Sequence, residues 1–222
     1  MPAKVTHFIP LDQVKVRDEF FSPIQDAVLH VMIPYQKQAL NDEIPDVAKS
    51  HVIENFRIAA GESREKYYGR VFQDSDLAKW LEAVAYSLTL EHNPELEAQA
   101  DEIIGLIGRA QQPDGYLDTY FIAEEPAHRW QDLAGSHELY CAGHMIEAGV
   151  AYYEATGKDQ LLSVCCRLCE HIDRRFGPGK ITGIPGHEEI ELALLRLYRV
   201  TANPRHLALA RYFINQRGQD PE

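Results

Sequence analysis

Apolar residues recur at intervals of three and four through most of the chain, the period of helices that each bury one face. Between Ser136 and Leu161 the stripe runs through Leu139, Ala142, Ile146, Gly149, Val150 and Tyr153, and stops at Thr156 and Gly157. Gly157 can take the left-handed conformation that closes a helix, and Asp159 is a good N-cap for the stripe that follows on Leu161, Val164, Cys165, Leu168 and Ile172. The run therefore predicts a helical hairpin. Its turn has counterparts: Tyr153 to Thr156 is echoed by Tyr198 to Thr201 and Tyr86 to Thr89, with Leu161, Leu207 and Leu96 following in the same place. One supersecondary unit reused at an irregular period predicts an all-α array of stacked helix pairs, either an open solenoid or a ring.

The remaining elements follow from the same period. Ser22 and Pro23 make a good helix start for a run on Ala27, Val28, Val31 and Ile33, which Pro34 should kink or end. A shorter run on Val52, Phe56, Ala59 and Ala60 closes at Gly61. Asp74 or Ser75 should cap a helix on Leu77, Trp80, Leu81, Val84, Ala85 and Leu88, whose return partner uses Leu96, Ala100, Ile103, Ile104 and Ile107. Two stretches, 111–135 and 177–186, lack any period, and the first holds the turn signal Pro113, Asp114, Gly115 together with Tyr116, Tyr120, Phe121, His128 and Trp130. Loops of this length in a compact domain tend to be functional. Turns inside hairpins are short and links between hairpins long, so one end of the array should be plain and the other decorated. Val14 to Val16 and Phe20 to Phe21 suggest that residues 1–22 form an extended segment over the helices of 23–222.

Composition narrows the partners. A formal net charge of -12 argues against a nucleic-acid backbone, which needs clustered Lys and Arg. No apolar stretch reaches signal-peptide or membrane-spanning length, so a cytoplasmic protein without membrane partners is expected. Cys141, Cys165, Cys166 and Cys169 fall within helical stripes; Cys165 and Cys169, one turn apart, are candidates for a soft metal, but buried small apolar residues is the stronger reading.

The candidates for chemistry lie at the decorated end. His137 with Glu138, and His187 with Glu188, each follow a small-residue insertion and open a helix, so either two imidazoles converge as the helices curve into a ring or each simply bonds a loop carbonyl. His144 and Glu147 share a helix one turn apart, loosely like half of a bundle metal site, although a buried polar pair is the stronger reading. Asp74 and Asp76 suit either acid-base work on sugars or helix capping. Tyr116, Tyr120 and Trp130 suit either stacking on sugar faces or anchoring of their own loop. A Gly-rich phosphate loop, a zinc HExxH helix and a GxSxG elbow are all missing from the sequence.

Taken in order, Ile33 to Gln36 with Asn41 and Asp42, Val71 to Asp76 with Lys79 to Glu82, Gln111 to Thr119, Ser136 to Tyr140 with Gly143 and His144, Gly186 to Glu188 with Glu191 to Ala193, and Arg217 to Asp220 resemble glycoside hydrolase family 127, the β-L-arabinofuranosidases. The resemblance implies an (α/α)6 barrel, here an incomplete toroid, with a sugar subsite at the decorated end. It places His137 and His187 among sugar-contacting residues and the Gln73–Asp74 segment near the same mouth, and Glu138 and Tyr116 complete the expected substrate-binding set. Family members are two to three times longer, and their cysteine nucleophile and zinc ligands lie beyond Glu222. No catalytic or metal-ligating residue is therefore assigned here, no cofactor is expected in this chain although zinc belongs to the full-length family, and the 222 residues alone are expected to be inactive. The expected partners are a small saccharide or arabinofuranoside, and either a second copy or a C-terminal half. The competing expectation is a non-enzymatic helical-repeat module that binds sugar or protein.

Overall fold

The computed structural model describes residues 9–219, so the first eight positions of the expected extended segment, and Asp220 of the last motif, lie outside it. The part of that segment that is described is not a strand. It forms a 3-10 turn over Leu11–Gln13 that packs on a later helix, and helix α1 (Phe21–Ala27) starts one residue before the expected Ser22, with the Asp18 carboxylate accepting from the Phe20 amide at 2.8 Å. Pro34 does not end the run that follows. A π-helical turn over Val28–Met32 widens the backbone just ahead of it, where the ring would meet the carbonyl four residues back, and α2 (Ile33–Leu40) continues.

Next come α3 (Val52–Ala59), α4 (Asp74–Leu90), α5 (Pro94–Ala110), the short α6 (Thr119–Ala123), α7 (Glu138–Thr156), α8 (Gln160–Arg175), α9 (Ile190–Thr201) and α10 (Pro204–Gln216). Three hairpins are evident: α4 with α5, α7 with α8, and α9 with α10. Their turns span only residues 91–93, 157–159 and 202–203. Gly157 closes α7 at φ 73°, as its position predicts. Asn93 and Asn203 cap their helices, accepting from the Leu96 amide at 3.0 Å and the Arg205 amide at 3.1 Å. Asp159 occupies the cap position of α8 without making a capping bond, and Asp74 is no cap at all, since Gln73 holds that place.

Packing sorts the helices into two layers. The inner layer runs α2, α4, α7, α9 in neighbouring order, and α3, α5, α8 and α10 back it. The interleaved apolar stripes form one continuous core, with Leu77, Leu81, Ile104, Ile146, Leu194 and Phe213 essentially removed from water. Each such side chain contributes about 1.5–3 kcal/mol. The Trp80 indole donates to the Ile33 carbonyl at 3.0 Å and so ties α4 to α2. This is the curved helix-pair array of an α/α barrel, and among the described residues it contains no helix long and apolar enough to cross a membrane.

Candidate functional site

Short turns at one end leave the three long links, 60–73, 111–137 and 176–189, together at the other. His137 stands at the start of α7 in the left-handed region, φ 59°, where a non-glycine residue stays only if its surroundings hold it. Its Nδ1 lies 2.6 Å from the Gly135 carbonyl oxygen, and its ring packs 5.2 Å from Phe72. The turn before α9 is secured separately. The Gly186 amide donates to the Leu133 carbonyl of the other insertion at 3.2 Å, while Arg217 pairs with Glu188 at 2.7 Å and Glu191 at 3.1 Å and donates to the Pro185 carbonyl. The two links thereby bring His187 Nε2 to 3.2 Å from His137 Nε2.

Because a carbonyl only accepts, His137 Nδ1 carries a proton, and in the neutral ring its Nε2 is a bare acceptor. The contact then requires that His187 Nε2–H donates. Tyr140 forms the floor of the pair, its ring 5.9 Å from His137, 5.3 Å from His187 and 4.5 Å from His144. Lys79 donates to the Tyr140 hydroxyl at 2.8 Å. Lower down, the expected pairing of His144 with Glu147 does not occur. His144 Nδ1 faces Glu189 at 3.3 Å, whereas Glu147 meets Arg196 at 2.8 Å, an arginine shared with Glu82 at 3.0 Å. Burial drives the His144 imidazole down to about 4, and burial with the Glu147 and Glu82 charges pushes Glu189 up to about 7.

Of the other four expected site residues, three are turned inward and one braces a loop. Glu138 is buried, accepting from the Tyr116 hydroxyl at 2.5 Å and from the Trp130 amide at 2.7 Å, and burial pushes its carboxyl up to about 7. Tyr116 is buried with it, so neither presents a polar atom to the mouth. Asp74 is buried too: its carboxylate accepts from the Thr119 amide at 2.7 Å and the Thr119 hydroxyl at 2.5 Å. Burial raises Asp74 and its neighbour Asp118 above the usual carboxylate range, helped at Asp74 by the Asp76 charge and at Asp118 by the charges of Asp74 and Glu138. Asp76, by contrast, is exposed and does not pair with Asp74. Gln73 lies near the mouth but its amide bridges two loops, accepting from the Arg70 amide at 2.8 Å and donating to the Ser50 carbonyl.

The aromatics of the first insertion are its anchors. Trp130 sits 5.4 Å from Tyr116 and donates to His171 Nε2 at 3.2 Å, while Tyr120 packs 5.3 Å from Tyr67. Of the two readings open in the sequence, loop anchoring is the one this geometry matches.

The thiols do not fit a nucleophile or a zinc ligand set. Cys141, Cys165 and Cys169 are buried, Cys166 half-buried, and burial pushes all four above the ordinary thiol range. Among the described residues no three His, Cys, Asp or Glu side chains gather as a metal would require.

Sequence reasoning missed the places of Tyr140, Lys79 and Phe72 around the histidine pair. Tyr140 had a legible signal, since it lies three residues after His137 and four before His144 on one helical face. Phe72 had none, because it ends a short polar loop that carries no period.

The family model for the β-L-arabinofuranosidase GH127 catalytic domain matches residues 13–222. A non-reducing end β-L-arabinofuranosidase of Bifidobacterium longum subsp. longum is 45% identical over 94% of this chain, and the match covers 34% of that protein. The solved GH127 β-L-arabinofuranosidase of Geobacillus stearothermophilus T6 superposes with a TM-score of 0.92 at 58% identity, over 94% of this chain and 33% of that one. A second solved GH127 β-arabinofuranosidase gives a TM-score of 0.87 at 32% identity, over 96% of this chain and 34% of that one. The chain thus spans about a third of the length of the relatives it matches.

Proposed function

Since the chain belongs to the β-L-arabinofuranosidase GH127 catalytic-domain family, we propose that it supplies one wall of the sugar subsite of a β-L-arabinofuranosidase-like glycoside hydrolase. The observation that carries the reading is the His137–His187 contact, Nε2 to Nε2 at 3.2 Å. One ring offers an acceptor and the other a donor, the complement of a sugar hydroxyl, which does both. A hydroxyl entering between them donates to His137 Nε2 and accepts from His187 Nε2–H. The pair then opens by the width of one oxygen and loses no hydrogen bond. A protein-interaction scaffold gives no reason for this matched pair, held by a left-handed residue on one side and an arginine clamp on the other.

Catalysis is assigned to no residue of this chain. None of its thiols is placed or ionised to attack an anomeric carbon. Residues 23–222 act as part of the catalytic barrel, in a cytoplasmic setting, and the exposed edges of the array meet the rest of a barrel or a second copy. In the 222-residue chain no turnover of an aryl β-L-arabinofuranoside is expected.

The test is titration with methyl β-L-arabinofuranoside, followed by the imidazole resonances. Asn tolerates the left-handed backbone, so His137→Asn removes the ring without adding strain. Loss of about tenfold in affinity in both His137→Asn and His187→Ala is expected. Unchanged affinity in both variants sinks the reading.

A further inference from the structure

The first long insertion, 111–137, is fastened to α8 by one buried imidazole. We propose that His171 is a pH-operated latch: taking up a proton, it releases Trp130 and loosens the stretch 130–137, which ends in His137. The inference goes beyond the sugar reading and does not depend on it, because it concerns only how this loop is held.

The latch lies in two hydrogen bonds. His171, 3% exposed, grips the insertion near its start and near its end: Nδ1 lies 3.0 Å from the Asp114 carbonyl oxygen and Nε2 3.2 Å from Trp130 Nε1. A carbonyl only accepts and an indole N–H only donates, so Nδ1 carries the proton and Nε2 is bare. Only the neutral ring, in this one tautomer, makes both bonds. A proton added at Nε2 sets N–H against N–H, and neither group has an acceptor to offer the other. The indole must leave.

The two ends of the insertion are not held equally. At the Asp114 end a second grip survives, since Arg174 donates to the same carbonyl at 2.6 Å. Gly115, next to it, packs so close to α8 that a Cβ would lie 2.5 Å from the Arg167 carbonyl oxygen. Trp130, by contrast, sits at φ 64°, in the left-handed region that a non-glycine residue keeps only while its surroundings hold it. Those surroundings are His171, the Tyr116 ring at 5.4 Å, the Phe176 ring at 5.5 Å, and the Glu138 carboxylate, which accepts from the Trp130 amide at 2.7 Å. Glu138 opens α7 beside His137, so an indole that leaves takes with it the anchor just ahead of that histidine.

The groups around the ring set the direction. Burial holds the His171 imidazole below its ordinary value, opposed by the Asp114 carbonyl and by the Asp114 carboxylate 3.5 Å from Nδ1, and aided by the Arg175 and Arg174 charges of its own helix. Tyr116 meets the ring edge-on at 5.4 Å, its hydroxyl given to Glu138 of α7 and its ring face covered by Arg129 at 4.1 Å. A released imidazole returns to about 6.5. The closed form therefore binds the proton less readily than the open one. Opening is favoured as pH falls below about 6.5, and gains nothing further once the closed form is itself protonated.

The experiment follows the two indole N–H resonances and the imidazole resonances of the 222-residue chain by NMR, from about pH 8 to about pH 4. Trp130→Phe assigns the Trp130 indole, and circular dichroism tracks helix content. Expected is one transition below about pH 6.5, in which the Trp130 indole N–H loses its protection from solvent exchange as His171 takes up its proton. The Trp80 indole and the helix content should not change. In His171→Gln, whose amide oxygen can accept from the indole and which has no proton to gain, Trp130 should stay protected throughout. Glu138→Gln should leave the transition at the same pH. An indole that stays protected over the whole range overturns the latch, as does a transition that persists in His171→Gln or moves with Glu138→Gln. Loss of helix content at the same pH also overturns it, because the whole chain is then unfolding. If His171→Gln does not fold, the wild type alone decides: the indole and His171 midpoints coincide or the proposal fails.

Discussion

At the scale of single residues, the molecule spends its buried polar groups on holding loops. Glu138 neighbours His137 in sequence, yet its carboxyl is turned inward to Tyr116 and Trp130, so the two residues of one motif divide the work between mouth and foundation. That division has a pH signature. The Glu138 carboxyl sits at about 7 in the folded chain against about 4.3 for a free glutamate. Protonated below its unfolded value, the group contributes stability there, and the contribution is lost as pH rises through 7. Asp74, Asp118 and Glu189 are raised and act in the same direction; His144, lowered to about 4, acts oppositely between roughly 6.5 and 4. Melting should therefore occur at a higher temperature near pH 5.5 than near pH 8. Glu138→Gln, which keeps the shape and cannot ionise, should shrink the corresponding difference in unfolding free energy by roughly 1–3 kcal/mol, and the gap in melting temperature with it. An identical pH dependence in the variant, followed by circular dichroism, would falsify the role given to Glu138.

At the scale of elements, close helix contacts depend on glycines that differ in what surrounds them. A Cβ on Gly143 of α7 would lie 2.6 Å from Glu189 Cγ and 3.0 Å from the Ile190 backbone nitrogen, at the very start of α9. Gly143→Ala must push that start away, costing about 1–3 kcal/mol and shifting the His187 turn just ahead of it, so both melting temperature and arabinofuranoside affinity should fall. On α5 the opposite holds. A Cβ on Gly105 meets only the Arg109 guanidinium at 3.2 Å, a flexible end that can move aside, and Gly105→Ala should stabilise by about 0.5–1 kcal/mol without affecting binding. Thermal melts of the two variants, side by side, check both signs. The hairpins themselves were legible in the sequence because a stripe of period 3.6 states which face is buried. What the stripe does not state is where a loop side chain ends up. Tyr116, Trp130 and Asp74 have residue types suited to a sugar site, but the core had room for them and the polar groups to satisfy them, so they were drawn inside. His137 and His187 were legible for another reason: equivalent places in adjacent repeats become neighbours once the repeats stack.

At the scale of the whole molecule, stacking leaves two edges. Helix-pair repeats bury their apolar faces only against the next repeat, so the first and last units of an array expose what the inner ones hide. One edge shows Phe20, Phe21, Ile24, Val31, Met32 and Tyr35 around α1 and α2; the other shows Leu192, Leu195 and Ile214 on α9 and α10. Exposed apolar surface of this kind drives association, while the net charge of -12 on every copy resists it. The balance predicts a salt response. Screening weakens the repulsion between copies and leaves the apolar contact intact, so raising ionic strength should increase the mass of the 25.2 kDa chain measured by light scattering. Val31→Glu combined with Leu192→Glu places a charge on each edge without touching the buried core or the histidine pair, and should hold the chain at 25.2 kDa with arabinofuranoside binding retained. A wild-type mass that stays monomeric at every concentration and salt would show that these edges are too weak to associate by themselves. A mass that falls as salt rises would mean that charge pairs, rather than the open faces of the array, hold the copies together.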